Sequence, residues 1–494
     1  MTTPDTTQLY HDQAKEFFEK TAPEKARQTK FVQRTSPING HLFVLTLVLN
    51  VIQFGVINLD QLAKTAHQID PHVDVTKQAF KERFTALAVD FLKAMFVEAL
   101  KTTVPGAAHV IPLLSAFAAV YLLDSTSVPL PESLKPEFKG CGGAGAEAAL
   151  KLYLLLNYLS GSYETMQLEA GRKADQNMGQ RFLAGRPAGA LWLFDLGFFN
   201  ASFLAAIAHA GSFFVCRLAA SQLTFWWRHA TGELEPLDLD RLLRHAPRHL
   251  FEIEVVFGPQ QQVVTRLISA PVPTSVAATR RRHAREAARR QGRTPTQRTL
   301  RRCDWTLLLT NAEAQRLPTS TVLEVYGVRW QVELAFKLFK SDAKLELTHA
   351  TEKHRLQCEL YAKLIALLLF NRLCGVVQSS LREKISPTKL WRRMRDDVKD
   401  LLKALGRGTA HALGELLKYL SRFALPSARK KYPSTLQRLQ RAAHQAQHVT
   451  LKDPLGYLRE KRKPIGQRSK VFAQYIEKHK IAFDFERLDF QKAA

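Results

Sequence analysis

Four residues within Tyr326–Lys340 carry the side chains of this chain best suited to chemistry: Tyr326, Arg329, Glu333 and Lys340. They supply a phenol, two cations and a carboxylate. The stretch has helical length and no internal proline. Wound at about 100° per residue, the four fall within a stripe about 60° wide. Around the rest of the circumference stand Val328, Trp330, Val332, Leu334, Ala335, Phe336, Leu338 and Phe339. A helix apolar on most sides is a buried one. It should therefore carry charge into an interior or a cleft floor, where charge must be paired or bind a metal. A buried helix with a plain Arg–Glu pair at i, i+4 is the other reading.

The spacing Tyr-x2-Arg-x3-Glu-x6-Lys resembles the signature of DDE transposases of the insertion-sequence-four family. That resemblance implies that Glu333 is the third catalytic carboxylate and that Tyr326, Arg329 and Lys340, with Trp330 beside them, hold DNA. It also demands two aspartates upstream, each at the end of a buried strand. The apolar run Ala118–Leu123 leads into Asp124-Ser125-Thr126, and Asp124, followed by small hydroxyl residues such as Thr126, fits the first place. The run Ala190–Phe194 leads into Asp195-Leu196-Gly197. A helix capped by Ser202 is then expected up to His209, Ala210-Gly211 should end it, and Phe213–Leu218 reads as a strand carrying Arg217. This order resembles the family's second-aspartate motif, with Asp195 as the second carboxylate. Taken singly, an Asp turn after a strand is common.

Composition agrees with a polyanionic partner. Lys and Arg number 71 against 45 Asp and Glu, a formal charge of +26, which points to nucleic acid ahead of an anionic membrane. The apolar windows Leu42–Ile57, Gly106–Leu123 and Leu364–Phe370 are short or broken by polar residues, so no membrane span is expected. The N-terminus has no basic segment followed by an apolar one, so a cytoplasmic, nucleoid-associated protein is expected. The cysteines at 141, 216, 303, 358 and 374 are odd in number and lack a Cys-x-x-Cys; reduced core thiols are expected and a zinc site is not.

With 494 residues, several domains are required. Residues 1–112 read as a helical DNA-binding region, beginning with a frayed arm with some helix at 1–35. Helix starts follow at Asn58 and Thr76, in short basic-faced helices that suit a helix-turn-helix-like reader, with a solvated helical bundle as the alternative. Residues 113–218 read as the first part of the core, with further strands at 149–156 and Tyr163–Leu168. The Gly140–Gly145 loop lacks the Lys-Ser/Thr of a phosphate cradle. Residues 219–321 are too long for a loop and read as a β-rich subdomain, with strands at Phe251–Phe257 and Val263–Ile268 around a Gly258-Pro259 turn. Within it, Arg280–Arg302 holds ten arginines against one acid, Glu286, and is expected to meet phosphates. By resemblance, Trp305 would take up a flipped base; a core tryptophan is the alternative. Residues 322–380 carry the Glu333 helix and an apolar helix, Leu356–Val376, expected under the sheet. Residues 381–494 are basic and helical, with no motif.

The fold expected is α/β: an RNase H-like core, a mixed sheet flanked by helices, with the β-rich insertion and helical N- and C-terminal regions. Asp124, Asp195 and Glu333 would bind two Mg2+ ions, or Mn2+, about 4 Å apart, since hard oxygen donors suit these ions. The resemblance adds excision of an element from double-stranded DNA and strand transfer, by a homodimer holding both ends, with no membrane partner. Two alternatives stay open: an RNase H-like nuclease or resolvase that cuts without joining, and a catalytically silent DNA-binding protein that keeps the fold.

Overall fold

The computed structural model describes residues 6–101, 111–142, 146–218, 224–228, 233–246, 248–257, 263–381, 385–406, 409–425, 433–442 and 449–450. The turn at Gly258-Pro259, residues 143–145 of the glycine-rich loop and most of the basic C-terminal region lie outside the described residues.

Helices α1 (Thr6–Lys15) and α2 (Ala22–Gln28) flank a π-wound turn, Glu16–Thr21. Tyr10 of α1 and Phe17 and Phe18 of the turn are buried, so residues 6–28 form a packed helical element where a frayed arm with some helix was expected. Helix α3 (Gly40–Phe54) ends at Gly55, whose φ of 75° is the left-handed cap that glycine adopts without strain. The side chain of Asn58 caps α4 (Leu59–Ile69) and that of Thr76 caps α5 (Lys77–Arg83), as read from the sequence, and α6 (Ala86–Lys101) follows.

The first strands are β1 (Val120–Leu130), β2 (Ala148–Asn157), β3 (Tyr163–Ala170) and β4 (Leu191–Phe194). Helix α7 (Ala201–His209) is capped by Asn200, whose Oδ1 accepts from Ser202 N at 2.9 Å and from Phe203 N at 3.4 Å; Ser202 lies inside the first turn and is not the cap. Then come β5 (Phe213–Arg217), β6 (Phe225–Arg228), β7 (Leu234–Pro236), α8 (Leu239–His245), β8 (Phe251–Phe257) and β9 (Val263–Pro271). Helices α9 (Thr274–Arg290) and α10 (Gln297–Arg302) precede β10 (Trp305–Thr310). After β10 stand α11 (Val322–Gly327), α12 (Trp330–Lys337), a π-wound turn (Leu338–Asp342) and α13 (Lys353–Ser379). The remaining helices are α14 (Pro387–Asp396), α15 (Val398–Gly406), α16 (Ala410–Ala424) and α17 (Thr435–Ala442).

The chain forms two compact units, one of residues 1–109, 124–173 and 331–428, the other of 110–123, 174–330 and 429–494. Strand β1 contributes to both, its chain passing from one to the other between Leu123 and Asp124. The hydrogen-bonded order is β3-β2-β1-β4-β5, with β2 and β3 antiparallel and β1, β4 and β5 parallel. A mixed sheet of this order, flanked by helices, is the RNase H-like core. In the second unit the sheet runs on: β10 pairs antiparallel with β5, β9 with β10, and β8 with β9. The insertion thus continues the core sheet rather than forming a separate body. Asn311 helps fasten this edge, donating to Ser212 O and accepting from Phe214 N.

In the first unit α13 packs mainly on α6 and α3 rather than beneath the sheet. Its tie to the strands is Asn371, which donates to Gly161 O and accepts from Tyr163 N in the β2–β3 hairpin, each at 2.9 Å. Contrary to the reading of the apolar windows, α13 is long and apolar enough to cross a membrane, yet 83% of that window is buried inside the protein. All five cysteines are free thiols; Cys216, Cys358 and Cys374 are buried, whereas Cys141 is exposed and Cys303 half-buried.

Candidate active site

Tyr326–Lys340 is not one helix. Helix α11 stops at Gly327, Val328 and Arg329 form a turn, α12 starts at Trp330, and the winding becomes π at Leu338. Glycine is a poor interior helix residue, and the break follows it directly. The continuous helix expected is therefore interrupted at this turn. The circumference is not wholly buried either: Leu334 is 42% exposed and Glu333 and Trp330 are half-buried. Tyr326 and Arg329 belong to the second unit, Glu333 and Lys340 to the first.

In the first unit β1 does not stop at Leu123. Its extended backbone continues to Leu130, so Asp124 lies inside the strand and not at its end. The environment changes there: Val120–Leu123 are buried, whereas Asp124, Ser125 and Thr126 are half-buried. The Asp124 carboxylate accepts from Ser125 N at 2.8 Å, which orients it along the strand. Lys340 Nζ donates to Ser127 O of the same strand at 2.8 Å and pairs with Glu346 at 2.7 Å. Its π-wound segment is seated by Phe339, which packs edge-on against Tyr163. Helix α12 places Glu333 in its first turn, where the helix dipole favours a carboxylate.

In the second unit Asp195 follows β4 directly, as expected of a strand-end carboxylate, and opens the tight turn Leu196–Phe198. Phe194 pairs in register with Cys216, so Asp195 and Arg217 each come one residue beyond that pair. The buried Tyr326 Oη donates to Phe194 O at 3.4 Å. Burial pushes the Tyr326 phenol well above its ordinary range; Arg329 pulls it down, Asp195 pushes it up and Arg217 pulls it down again. These four groups share one electrostatic neighbourhood, and the phenol stays a neutral hydrogen-bond donor. Sequence reasoning gave Arg217 no role, although its place ending the strand after the second aspartate was the available signal.

Trp305 is a core side chain here: 5% exposed, on β10, edge-on to Phe251 with ring centroids 5.7 Å apart. Trp305→Phe is expected to cost about 1–3 kcal/mol of folding stability, the usual range for a core change, measured by urea titration. An unchanged stability would show that Trp305 adds little to the core.

Among the described residues no group of three or more His, Cys, Asp or Glu side chains is placed to hold a metal ion. The donors on offer are carboxylate oxygens, whose chemistry fits a hard divalent cation and not a thiolate-bound one.

A mixed sheet of this order, flanked by helices, defines the RNase H-like class of fold. The chain belongs to the transposase DDE domain family, whose model it matches over residues 115–369. It is 24% identical to the transposase for insertion sequence element IS231E of Bacillus thuringiensis subsp. finitimus, covering 88% of this chain and 92% of that one. It is 25% identical to the IS1151 transposase of Clostridium perfringens, covering 83% and 91%. Among solved structures it is similar to a piggyBac transposase synaptic complex with hairpin DNA, at 10% identity and a TM-score of 0.45 over 86% of this chain and 87% of that one. The chain is thus a DNA transposase, an enzyme that cuts and joins nucleic acid. Enzymes of its family use divalent metal ions and act on DNA.

Proposed function

We propose that this chain is the cut-and-paste transposase of its own insertion element, with Asp124, Asp195 and Glu333 as the three catalytic carboxylates. The observation that carries the reading is the placing of Asp195 at the end of β4, in one electrostatic neighbourhood with Tyr326 and Arg329 of the signature. Two Mg2+ ions, or Mn2+ in their place, would be held by the three carboxylates and would activate the attacking oxygen and stabilise the leaving one. The protein's own groups do the positioning. Arg329, 9% exposed, presents a fixed fork that suits a bidentate grip on a phosphate, while Lys340 acts as a point charge beside β1. Tyr326, kept protonated, holds the strand end that carries Asp195. Trp330 and Thr126 would contact the same DNA, and the helices of residues 1–112 would read the terminal repeats. A homodimer would hold the two ends, and the enzyme would work in the cytoplasm on the nucleoid.

The test is incubation with duplex DNA bearing the gene's own flanking repeats and a second, target duplex, in Mg2+. Cleavage at the repeat boundary followed by joined products is expected. Cleavage with no joined product would move the assignment to a nuclease or resolvase; binding with neither, to a silent DNA-binding protein. Arg329→Ala is expected to lower the salt slope of end binding by about 1, one phosphate contact's worth. An unchanged slope would take Arg329 out of the phosphate contacts.

A further inference from the structure

The arginine-rich run divides into two sets that its composition could not separate. One set is committed to the fold. Arg280 donates to Trp305 O at 3.1 Å and to Thr306 Oγ1 at 3.3 Å, and Arg281 pairs with Asp304. Arg298 and Arg302 both pair with Asp240 of α8, at 2.6 and 2.7 Å. These bonds fix the α9–α10 hairpin to β10 and α8. They also fix which face of α9 turns outward.

On that outward face stand Arg282, Arg285 and Arg289, all exposed. At i, i+3 and i+7 they fall within about 60° of one another and span about 10 Å along the helix axis. Arg290, the last residue of α9, and Arg293 beyond it extend the charge, also exposed. Glu286 is the one acid in the stretch, 3.9 Å from Arg282 and itself exposed, which offsets little. Like charges so close repel one another unless a polyanion lies across them. Ala284 and Ala288 fall on the opposite, half-buried side of the helix, and the exposed side carries the arginines with Glu286 and His283. Arginines spaced along one exposed helix face suit a run of backbone phosphates, and contacts to phosphate carry no sequence information.

We propose that the outward face of α9 is a sequence-independent landing surface for the backbone of duplex DNA, contacted by Arg282, Arg285 and Arg289. Its use in target or flanking-DNA capture rests on the transposase reading; the contact itself does not. The test uses the full-length chain without divalent metal, on a duplex of random sequence, titrated with salt. Replacing all three with alanine is expected to lower the slope of log affinity against log salt by about 2–3, at about 0.9 per phosphate contact. The corresponding triple lysine variant keeps charge and should keep the slope. The same loss is expected on a duplex bearing the terminal repeat. An unchanged slope in the alanine variant overturns the proposal, as does a loss confined to the repeat-bearing duplex, which would make the face an end reader. If the lysine variant loses as much slope as the alanine one, charge is not the cause and the proposal fails. Cleavage of repeat-bearing DNA by the unaltered protein is scored separately in Mg2+, so failure of the transposase reading and failure of this surface give different results.

Discussion

Glu333→Gln is expected to abolish cleavage of repeat-bearing DNA, by at least about a thousandfold, the scale on which loss of a group facing developing charge slows an enzyme. The substitution keeps the shape and removes the negative charge. A neutral amide is a poor ligand for the hard divalent ion that Glu333 is proposed to hold. The effect on the fold is read separately. Glu333 is half-buried in the first turn of α12, where a carboxylate gains about 0.3–1 kcal/mol from the helix dipole. The comparison therefore needs two readouts: cleavage in Mg2+ and Mn2+, and the midpoint of thermal unfolding. Cleavage within tenfold of the unaltered protein would remove Glu333 from the catalytic set. A collapse of the unfolding midpoint would show that it serves the fold.

A second large effect is expected away from the carboxylates. In α13 Lys363 and Glu359 form an ion pair at 2.9 Å with each side chain 2% exposed. Lys363 also donates to the carbonyl oxygens of Lys344 and Leu347, and Glu359 accepts from Thr348 Oγ1 at 3.0 Å. The pair thus clamps the segment that follows the Lys340 turn and carries its partner Glu346. Lys363→Met leaves a buried carboxylate without its cation, which costs about 3–5 kcal/mol. Adding Glu359→Leu should recover most of that loss, because an apolar pair of similar volume leaves no orphaned charge. Urea unfolding of the two variants decides it; equal stability of single and double variants would show that the pair contributes nothing. The pH dependence has a definite sign. Burial holds the Lys363 ammonium below its ordinary pKa, with Glu359 opposing, so the unfolded chain binds this proton more tightly. Between the lowered value and about 10.4 this group adds stability as pH rises, and below that window its contribution is flat. Lys363→Met should remove that alkaline rise.

The parts legible in the sequence were those written in local pattern. The run Ala190–Phe194 ending in Asp195 gave a strand and its terminal carboxylate, and Asn58 and Thr76 marked helix starts. What was not legible depended on partners distant along the chain. Nothing near Asp124 says that the strand goes on past it, because Ser125-Thr126-Ser127 suits a turn and a strand equally. The break after Gly327 and the π turn at Leu338 come from packing, and a helical wheel assumes both away. The inward arginines of α9 and α10 were hidden because Asp240 and Asp304 stand outside the run. Lys363 and Glu359 read as polar interruptions of an apolar helix until Thr348 and the Lys344 and Leu347 carbonyls are seen around them.

The continuity of the sheet through the insertion has a mechanical meaning. Arg280 fastens α9 to Trp305 and Thr306 at the start of β10, Leu309 of β10 pairs with Cys216 of β5, and Cys216 pairs with Phe194, the residue before Asp195. Each link is short, hydrogen-bonded and nearly inextensible along the strand. A tug on the outer helix is therefore borne as shear across two strand pairs and arrives at the Asp195 turn with little slack. On the proposed reading the insertion would act as a stiff outrigger, and a grip of α9 on a long polymer would set the tension at the Asp195 turn.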